Sequence, residues 1–569
     1  MLTNYRHNLR GISPCCAILL LNFLLSASVL AASNTRVAID LKEQQYKDSL
    51  RIGKRIYNLG LLPSGKPLSA TVQGDVKLSG NQVSCVNCHK RSGMGSSESR
   101  RQILPINKQA LFDRTEIGRS EVNTRHLQSQ LRKTRPSYTD SSLRTVIREG
   151  IDPNGRILNP LMPKFSLDDT NLNHLINYIK SLSLEVSPGV TDSTIHFATI
   201  VTDEVEKSKQ DAMLDILSAF TRIKNANTRN ETGRAKHGPF HKEPHNSAYR
   251  KWALHTWRLM GAADTWRKQL KQHYETQPVF AILNGISTQS WAPIHHFCND
   301  NEIPCLFPNT DLPVINENDF YSVYFSKGLT LEAKVLAKYI LKDIKVNNTV
   351  SIIQVHGDNE DERFASKIFR QALEAKPTIN IKDFYLEKNK PSLANLQSLL
   401  THNKTTLLVL WLRQPFLTKL EKTINDSQLK QIFLSASLLD NQYEVIPTNL
   451  YDKILLTYPF GTPNPQRHLR MRSWSRLQHV DITHERIQAN AFFTAKTVSD
   501  ALMHIRTNLY RDYFLERIEH MIDRSVITSV YARLSLAPGQ RFVSKGSYIV
   551  KLSTDKNKFI TPVSEWIIP

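Results

Sequence analysis

Seven apolar runs of strand length return through the carboxyl-terminal two thirds of this 569-residue chain: Ile195 to Val201, Val279 to Leu283, Ile303 to Phe307, Thr349 to Val355, Thr405 to Trp411, Gln431 to Ala436 and Ile454 to Tyr458. A strand that is apolar along its whole length is buried on both faces, and helical stretches lie between these runs. That alternation predicts doubly wound parallel sheets, an α/β architecture, over residues 188–569. The polar stretch 225–271, with Trp252, Trp257 and Trp266, reads as an insertion or helical excursion. Ser187, Pro188 and Gly189 form a short joint to a region of different texture.

Residues 36–187 show helical rather than strand periodicity. Leu50, Gly53, Ile56 and Tyr57 mark a first amphipathic helix, and Leu143, Val146 and Ile147 mark a second that stops at Gly150. Ser166 and Asp169 have the spacing of a capping box that opens a last helix, with Leu172, Leu175, Ile176, Ile179 and Leu182 on one face. The expectation is an all-α domain. At the amino end, Arg6 and Arg10 precede an apolar run from Ala17 to Leu30 and small residues at Ala31 and Ala32, the pattern of a cleaved export signal over 1–32. The run is shorter than the roughly 20 residues that a membrane span requires, so a periplasmic protein is expected, with no transmembrane span in the mature chain.

Between the first two helices stand Cys85, Val86, Asn87, Cys88 and His89. Two thiols at this spacing, followed by an imidazole, are the attachment signature of c-type haem: each thiol adds to a vinyl group and the histidine ligates the iron. A structural zinc would want a second Cys or His pair, and none is evident. The expected cofactor is therefore one covalent haem c on Cys85, Cys88 and His89. Met162, between Pro160 and Pro163, is the candidate second axial ligand, with Met94 and His174 as rivals. Of six cysteines, Cys15 and Cys16 leave with the signal. Cys298 and Cys305 then remain, an even pair that in an oxidising compartment suggests a disulfide, contributing ~2 to 3 kcal/mol.

The helical segment resembles a class I cytochrome c domain, through its helix before the motif, its Cys-x-x-Cys-His, its Met-Pro loop and its carboxyl-terminal helix. That resemblance implies Gly53 packed on Tyr178, thioethers at Cys85 and Cys88, and iron held by His89 and Met162. The remainder resembles the type I periplasmic binding proteins, the group that includes branched-chain amino-acid receptors. The likeness lies in Val279–Gly285 followed by a helix, in Ile303–Thr310, in the helix from Leu329 to Leu341, and in the ending Leu534 to Leu552. It implies two lobes around a ligand cleft at the carboxyl ends of strands, lined by Asn284, Ser287, Asn309, Thr310, Tyr324 and Tyr458.

The expected function is that of an exported monohaem cytochrome transferring single electrons, with a fused module that docks a partner or holds a small ligand. It is more an electron carrier than a catalyst, because no Gly-x-Ser-x-Gly elbow, Walker loop or His-Glu-x-x-His helix occurs. Adjacent His295 and His296 point to different faces and are weak metal ligands. The formal charge of +22, with 24 basic and 14 acidic side chains in residues 36–185, suits an acidic redox partner or anionic lipid. An exported chain meets no nucleic acid. The alternatives are a haem-containing sensory protein and an oxidoreductase subunit whose substrate enters the carboxyl-terminal cleft.

Overall fold

The structure, a computed structural model, describes residues 41–98, 101–112, 136–237, 250–316, 319–343, 350–387, 393–402, 407–413, 417–426, 429–440, 442–464, 466–523, 529–537, 539–555 and 559–569. The expected export signal and its cleavage site lie outside these residues. No helix among them is long and apolar enough to cross a membrane. The chain divides into two compact units, Met1–Glu185 and Val186–Pro569.

The first unit is not all-α. Its Gly-, Ser- and Pro-rich stretch folds into a hairpin of β1 (Ser69–Val72) and β2 (Val76–Ser79), turned at Gln73 and Gly74, which both have positive φ. A second hairpin joins β3 (Ser96–Glu98) to β4 (Arg101–Ile103), and β5 (Lys164–Phe165) pairs antiparallel with β1. Helical periodicity in the flanking segments hid these short strands. The helices themselves lie where the apolar spacing puts them, over 41–59, Asp140–Glu149 and Asp169–Ser181. Thr139 and Ser142 close a reciprocal capping box at the second. Asp168, rather than Ser166, caps the third by accepting from the Asn171 N–H at 2.8 Å.

Ile56, Tyr57, Leu143, Ile147, Leu172 and Ile176 form the core of this unit. Gly53 permits the first and last helices to meet: a Cβ there would lie 2.1 Å from the His174 carbonyl oxygen and 2.7 Å from Tyr178 Cβ. Tyr57 and Tyr178 stack edge to face beside that crossing, 5.3 Å between ring centres.

The second unit contains two α/β lobes. In the first lobe β6 (Thr194–Thr202), β7 (Lys251–Leu259), β8 (Ala281–Leu283), β9 (Cys305–Leu306) and β10 (Ser322–Val323) form one parallel sheet in the order β10, β9, β8, β6, β7. The second lobe contains β11 (Val350–His356), β12 (Ile379–Tyr385), β13 (Leu407–Trp411), β14 (Gln431–Ser435), β15 (Ile454–Tyr458), β16 (Tyr548–Leu552) and β17 (Ile560–Pro562). Their order is β12, β11, β13, β14, β15, β16, β17, with only β16 and β17 antiparallel to their neighbours.

Alternate residues of each strand face opposite helical layers. Ile352, Val409, Phe433 and Leu455 pack on Leu336, Ala365 and Phe369. Ile353, Leu408, Leu410 and Ile432 belong to the opposite layer with Leu396, Leu417 and Ile424. Burying each such side chain contributes about 1.5 to 3 kcal/mol, which is why these strands read as unbroken apolar runs. The stretch expected as a polar insertion instead supplies β7, paired with β6 over its full length, and the helix Trp266–Thr276. Trp252, Trp257 and Leu259 are buried between polar neighbours, so this edge strand follows an interrupted pattern.

Three segments join the lobes and are hydrogen-bonded to one another. Tyr324 N–H donates to the Arg541 carbonyl at 2.8 Å, Ser544 N–H to Phe325 at 2.7 Å, and Gly461 N–H to Val530 at 2.8 Å. A rotation of one lobe against the other has to be absorbed here.

Candidate functional site

In open α/β sheets, ligands meet the carboxyl ends of parallel strands. Here β8 leads to Asn284 and Ser287, β9 to Asn309, Thr310 and Asp311, β13 to Arg413, β14 to Ser435 and Asp440, and β15 to Thr457 and Tyr458. The turn after β8 needs a glycine at Gly285: its φ is +113°, and a Cβ there would lie 2.6 Å from the Trp291 ring.

Charged side chains bridge the two lobes at these ends. Asp440 of the second lobe pairs with Lys209 at 2.7 Å and with Arg486 at 2.5 Å, both from helices of the first. Arg413 of the second lobe pairs with Asp361 beside it, and reaches Asp311 of the first lobe at 3.6 Å. Ser290 N–H donates across to Glu360 at 3.1 Å. Burial would raise the Asp440 carboxyl, but Arg486 and Lys209 outweigh it and hold it at about 2. Burial would likewise lower the Arg486 guanidinium, yet Asp440 and Asp311 carry it above its ordinary value. Asp311 is shifted upward, because burial outweighs the two arginines.

Several buried polar atoms in this neighbourhood have no hydrogen-bond partner, among them Asn284 Oδ1, Trp291 Nε1 and Asn490 Oδ1 of the first lobe. Another is Arg486 Nε, whose guanidinium lies 5.4 Å over the Phe460 ring. A further one is Glu332 Oε1. Glu332 is 0% exposed; its Oε2 accepts from Ser435 Oγ at 2.8 Å and Thr457 Oγ1 at 2.5 Å, leaving Oε1 unpaired. Burial pushes its carboxyl up to about 7, against the hydroxyls of Ser437, Thr457 and Ser435, and Asp311 adds to the rise. A cavity of about 750 Å³ opens between the lobes beside this region, lined by Ser290 and Leu312 from one and by Thr330, Lys334, Glu360 and Phe364 from the other.

Of the six expected cleft residues, four share the strand ends of the first lobe. Asn284 has φ +53° and donates to the Phe307 carbonyl at 2.8 Å. Ser287 donates to Glu204 at 2.8 Å. Asn309 accepts from Asn490 Nδ2 at 2.9 Å, and Thr310 Oγ1 accepts from Leu312 N–H at 3.1 Å. Tyr458 ends β15 in the second lobe, buried and edge to face with Phe460; burial pushes it up to about 12 despite Arg467. Tyr324 is not with them. It packs in the first lobe on Phe542 and meets His295 Nδ1 at 2.7 Å, while His295 Nε2 meets Asp319 at 2.5 Å. His296 lies edge to face with His295, ring centres 5.5 Å apart.

Sequence reasoning missed Lys209, Asp311, Glu332, Arg413, Asp440 and Arg486. Asp311, Arg413 and Asp440 closely follow strand-length apolar runs, so the rule that selected Asn309 applies to them equally. Glu332 and Arg486 carry no such signal, since each lies in the first turns of a helix. Cys298 and Cys305 are buried side by side as free thiols in this structure, hydrogen-bonded to each other.

In the first unit Cys85 is the residue before the short helix Val86–His89, half-buried, with burial pushing its thiol up to about 12. Cys88 is exposed. His89 Nδ1 lies 3.1 Å from the Leu104 carbonyl, and burial lowers its pKa. Met162 packs at the edge of that unit's core. Met94 Sδ accepts from Asn107 Nδ2 at 3.5 Å, and His174 Nδ1 meets Ser49 Oγ at 2.9 Å.

No family model and no curated protein matches the chain. Among solved structures it is similar to a fatty acid ABC transporter substrate-binding protein from Thermomonospora curvata, at 12% identity over 68% of this chain and 95% of that one, with a TM-score of 0.48. It is also similar to a branched chain amino acid ABC transporter from Thermus thermophilus with bound valine, at 11% identity over 67% and 98%, TM-score 0.49. A third is a solute binding protein of an ABC transporter from Rhodopseudomonas palustris BisB5 in complex with 3,4-dihydroxy benzoic acid, at 12% identity over 66% and 97%, TM-score 0.45. The class that the second unit's own topology defines is a two-lobed α/β protein with parallel sheets meeting at a cleft.

The expected haem c is corrected. Among the described residues no group of three or more His, Cys, Asp and Glu side chains could hold a metal ion. The five residues Cys85 to His89 specify only that two thiols and an imidazole are near one another along the chain. Cys85 is a half-buried thiol, and Met162 is a core-edge side chain. Electron transfer falls with the cofactor.

Proposed function

We propose that this is a solute-binding protein of the cell envelope, whose two carboxyl-terminal lobes close over a small polar solute. One observation carries the reading: Glu332 Oε1 and Arg486 Nε, an acceptor and a donor, are buried without partners among the ion pairs that join the lobes. A buried polar atom left unpaired costs about 1 to 3 kcal/mol, so a solute that satisfies both is favoured. Entry requires the lobes to part at their three connecting segments, with Asp440 releasing Lys209 and Arg486. The first unit, residues 36–187, is then a domain of its own, in which Gly53 lets the first and last helices meet at Tyr178.

The test is a thermal-shift and small-angle scattering screen of the full chain against small cationic, neutral and anionic solutes. Stabilisation with a fall in radius of gyration supports closure on a solute. No response to any of them refutes the reading.

A further inference from the structure

We infer that the outer edge of the first lobe's sheet docks a short, extended, acidic segment of a partner protein, which adds to β7 as a further strand. This surface is separate from the strand ends that face the cleft, and the inference goes beyond the solute-binding reading.

β7 is the last strand of its sheet and pairs on one side only, with β6. In a parallel pair, alternate residues turn both of their backbone groups toward the same neighbour. Lys251 N–H donates to the Ser193 carbonyl at 2.8 Å, and Asp203 N–H donates to the Leu259 carbonyl at 3.1 Å, so the odd-numbered residues of β7 face β6. The backbone groups of Trp252, Leu254, Thr256 and Arg258 therefore point outward.

Both ends of that outward side are closed by side-chain amides that imitate a paired strand. Asn225 accepts from Trp252 N–H at 2.7 Å and donates to the Trp252 carbonyl at 2.9 Å. Gln269 treats Met260 in the same way, accepting at 3.0 Å and donating at 2.9 Å. Between the two amides, His273 Nε2 comes within 3.5 Å of the Arg258 carbonyl. Among the described residues nothing bonds the outward N–H and carbonyl groups of Leu254 and Thr256. Those two residues border a groove of about 560 Å³ between β7 and the helix Trp266–Thr276. Trp257 and His273 line it with stacked rings, 5.6 Å between centres, and Gln269 and Gln272 line it with amides that both donate and accept.

Geometry and charge select the occupant. A free strand edge alternates donors with acceptors, which is the pattern an extended backbone satisfies, and a groove beside it sorts alternate side chains. The open stretch from Leu254 to Arg258 matches a peptide of about five residues, at ~3.3 Å each. β7 and the adjacent helix carry five basic residues, Lys251, Arg258, Arg267, Lys268 and Lys271, against one acidic residue, Glu275. A second copy of this edge brings like charges together. Antiparallel self-pairing centred on His255 also sets Arg258 of one copy on Trp252 of the other, where Asn225 already sits. An acidic peptide meets neither obstacle.

The experiment titrates the full chain with a labelled pentapeptide, aspartate-valine-threonine-valine-aspartate, by fluorescence anisotropy, and follows backbone amides by hydrogen-exchange mass spectrometry. The amides of Leu254 and Thr256 should exchange rapidly in the free chain and slow at least tenfold when the peptide is bound. N-methylation of the peptide at alternate residues should weaken binding at least tenfold in one phase, at the two valines or at the other three residues, and leave it within twofold in the opposite phase. Replacing both aspartates by lysine should weaken it at least tenfold. Thr256→Pro deletes one outward N–H at a position where an edge strand tolerates proline, and should abolish binding, whereas Thr256→Val should retain it. The N-methyl comparison uses the unaltered chain, so misfolding of Thr256→Pro leaves the test intact. The inference is overturned by absence of binding at about 1 mM peptide, by equal effects of the two N-methyl phases, or by equal binding of the lysine peptide. Protection of Leu254 and Thr256 in the free chain also overturns it, and protection that grows with protein concentration assigns the edge to a second copy instead.

Discussion

Glu332→Gln isolates the cost of a buried, uncompensated carboxylate. The folded protein holds this group at about 7 against an ordinary value of 4.5. A raised carboxyl binds its proton more tightly when folded. The protein therefore keeps its full stability below pH 4.5 and loses it as pH climbs through about 7. The gap, at 1.36 kcal/mol per pH unit, comes to about 3 kcal/mol at pH 8 and above, an upper figure because water and structural relaxation moderate it. Glutamine keeps an acceptor for Ser435 and Thr457 and removes the charge. The variant should thus equal the parent at pH 5 and exceed it at pH 8 by about 1 to 3 kcal/mol. For a unit of this size that raises Tm by roughly 1 to 4 °C. Differential scanning calorimetry from pH 5 to 9, without added solute, reads the difference directly. Parallel Tm profiles for the two proteins would show that Glu332 is ionised at no cost, and the argument from burial would fail.

Asp440→Asn removes the partner of Lys209 and Arg486 and leaves Arg486 buried with one fewer counter-charge. We expect a loss of about 2 to 4 kcal/mol at pH 7 and a larger radius of gyration by scattering, with an unchanged radius counting against a cross-lobe latch. The buried His295 is lowered by burial, against the pull of Asp319 and with the push of His296. Its contribution is present above pH 6.5 and is lost as pH falls below it, so His295→Gln should narrow the gap in Tm between pH 7 and pH 5. Gly53→Ala puts a methyl group 2.1 Å from a backbone oxygen, and should destabilise the first unit by about 1 to 3 kcal/mol without moving the second unit's calorimetric transition. Cys298 and Cys305, in contact and shielded from solvent, should close as a disulfide when the chain is exported; alkylation of both after unfolding without reductant would refute this.

The doubly wound architecture was legible because it is written locally. A strand covered by helices on both faces cannot carry polar side chains, so β6, β11, β13, β14 and β15 appear as apolar runs wherever they fall. Edge strands escape this rule. β7 and β12 are half-exposed; the mixed residues of β7 read as an insertion, and those of β12 form no apolar run. The charged cleft was legible only in part. Strand-end logic found Asn309 and Tyr458, but Lys209 meets Asp440 only because two lobes face each other across the chain's three crossings, and Glu332 meets Thr457 only because its helix packs back on the second sheet. No periodicity encodes that meeting. The sequence by itself determined which segments become buried strands and helices, since local polarity sets local burial. Tertiary structure alone decided which distant charges neutralise one another and which carboxyl group is left without a partner, because that depends on how the lobes close.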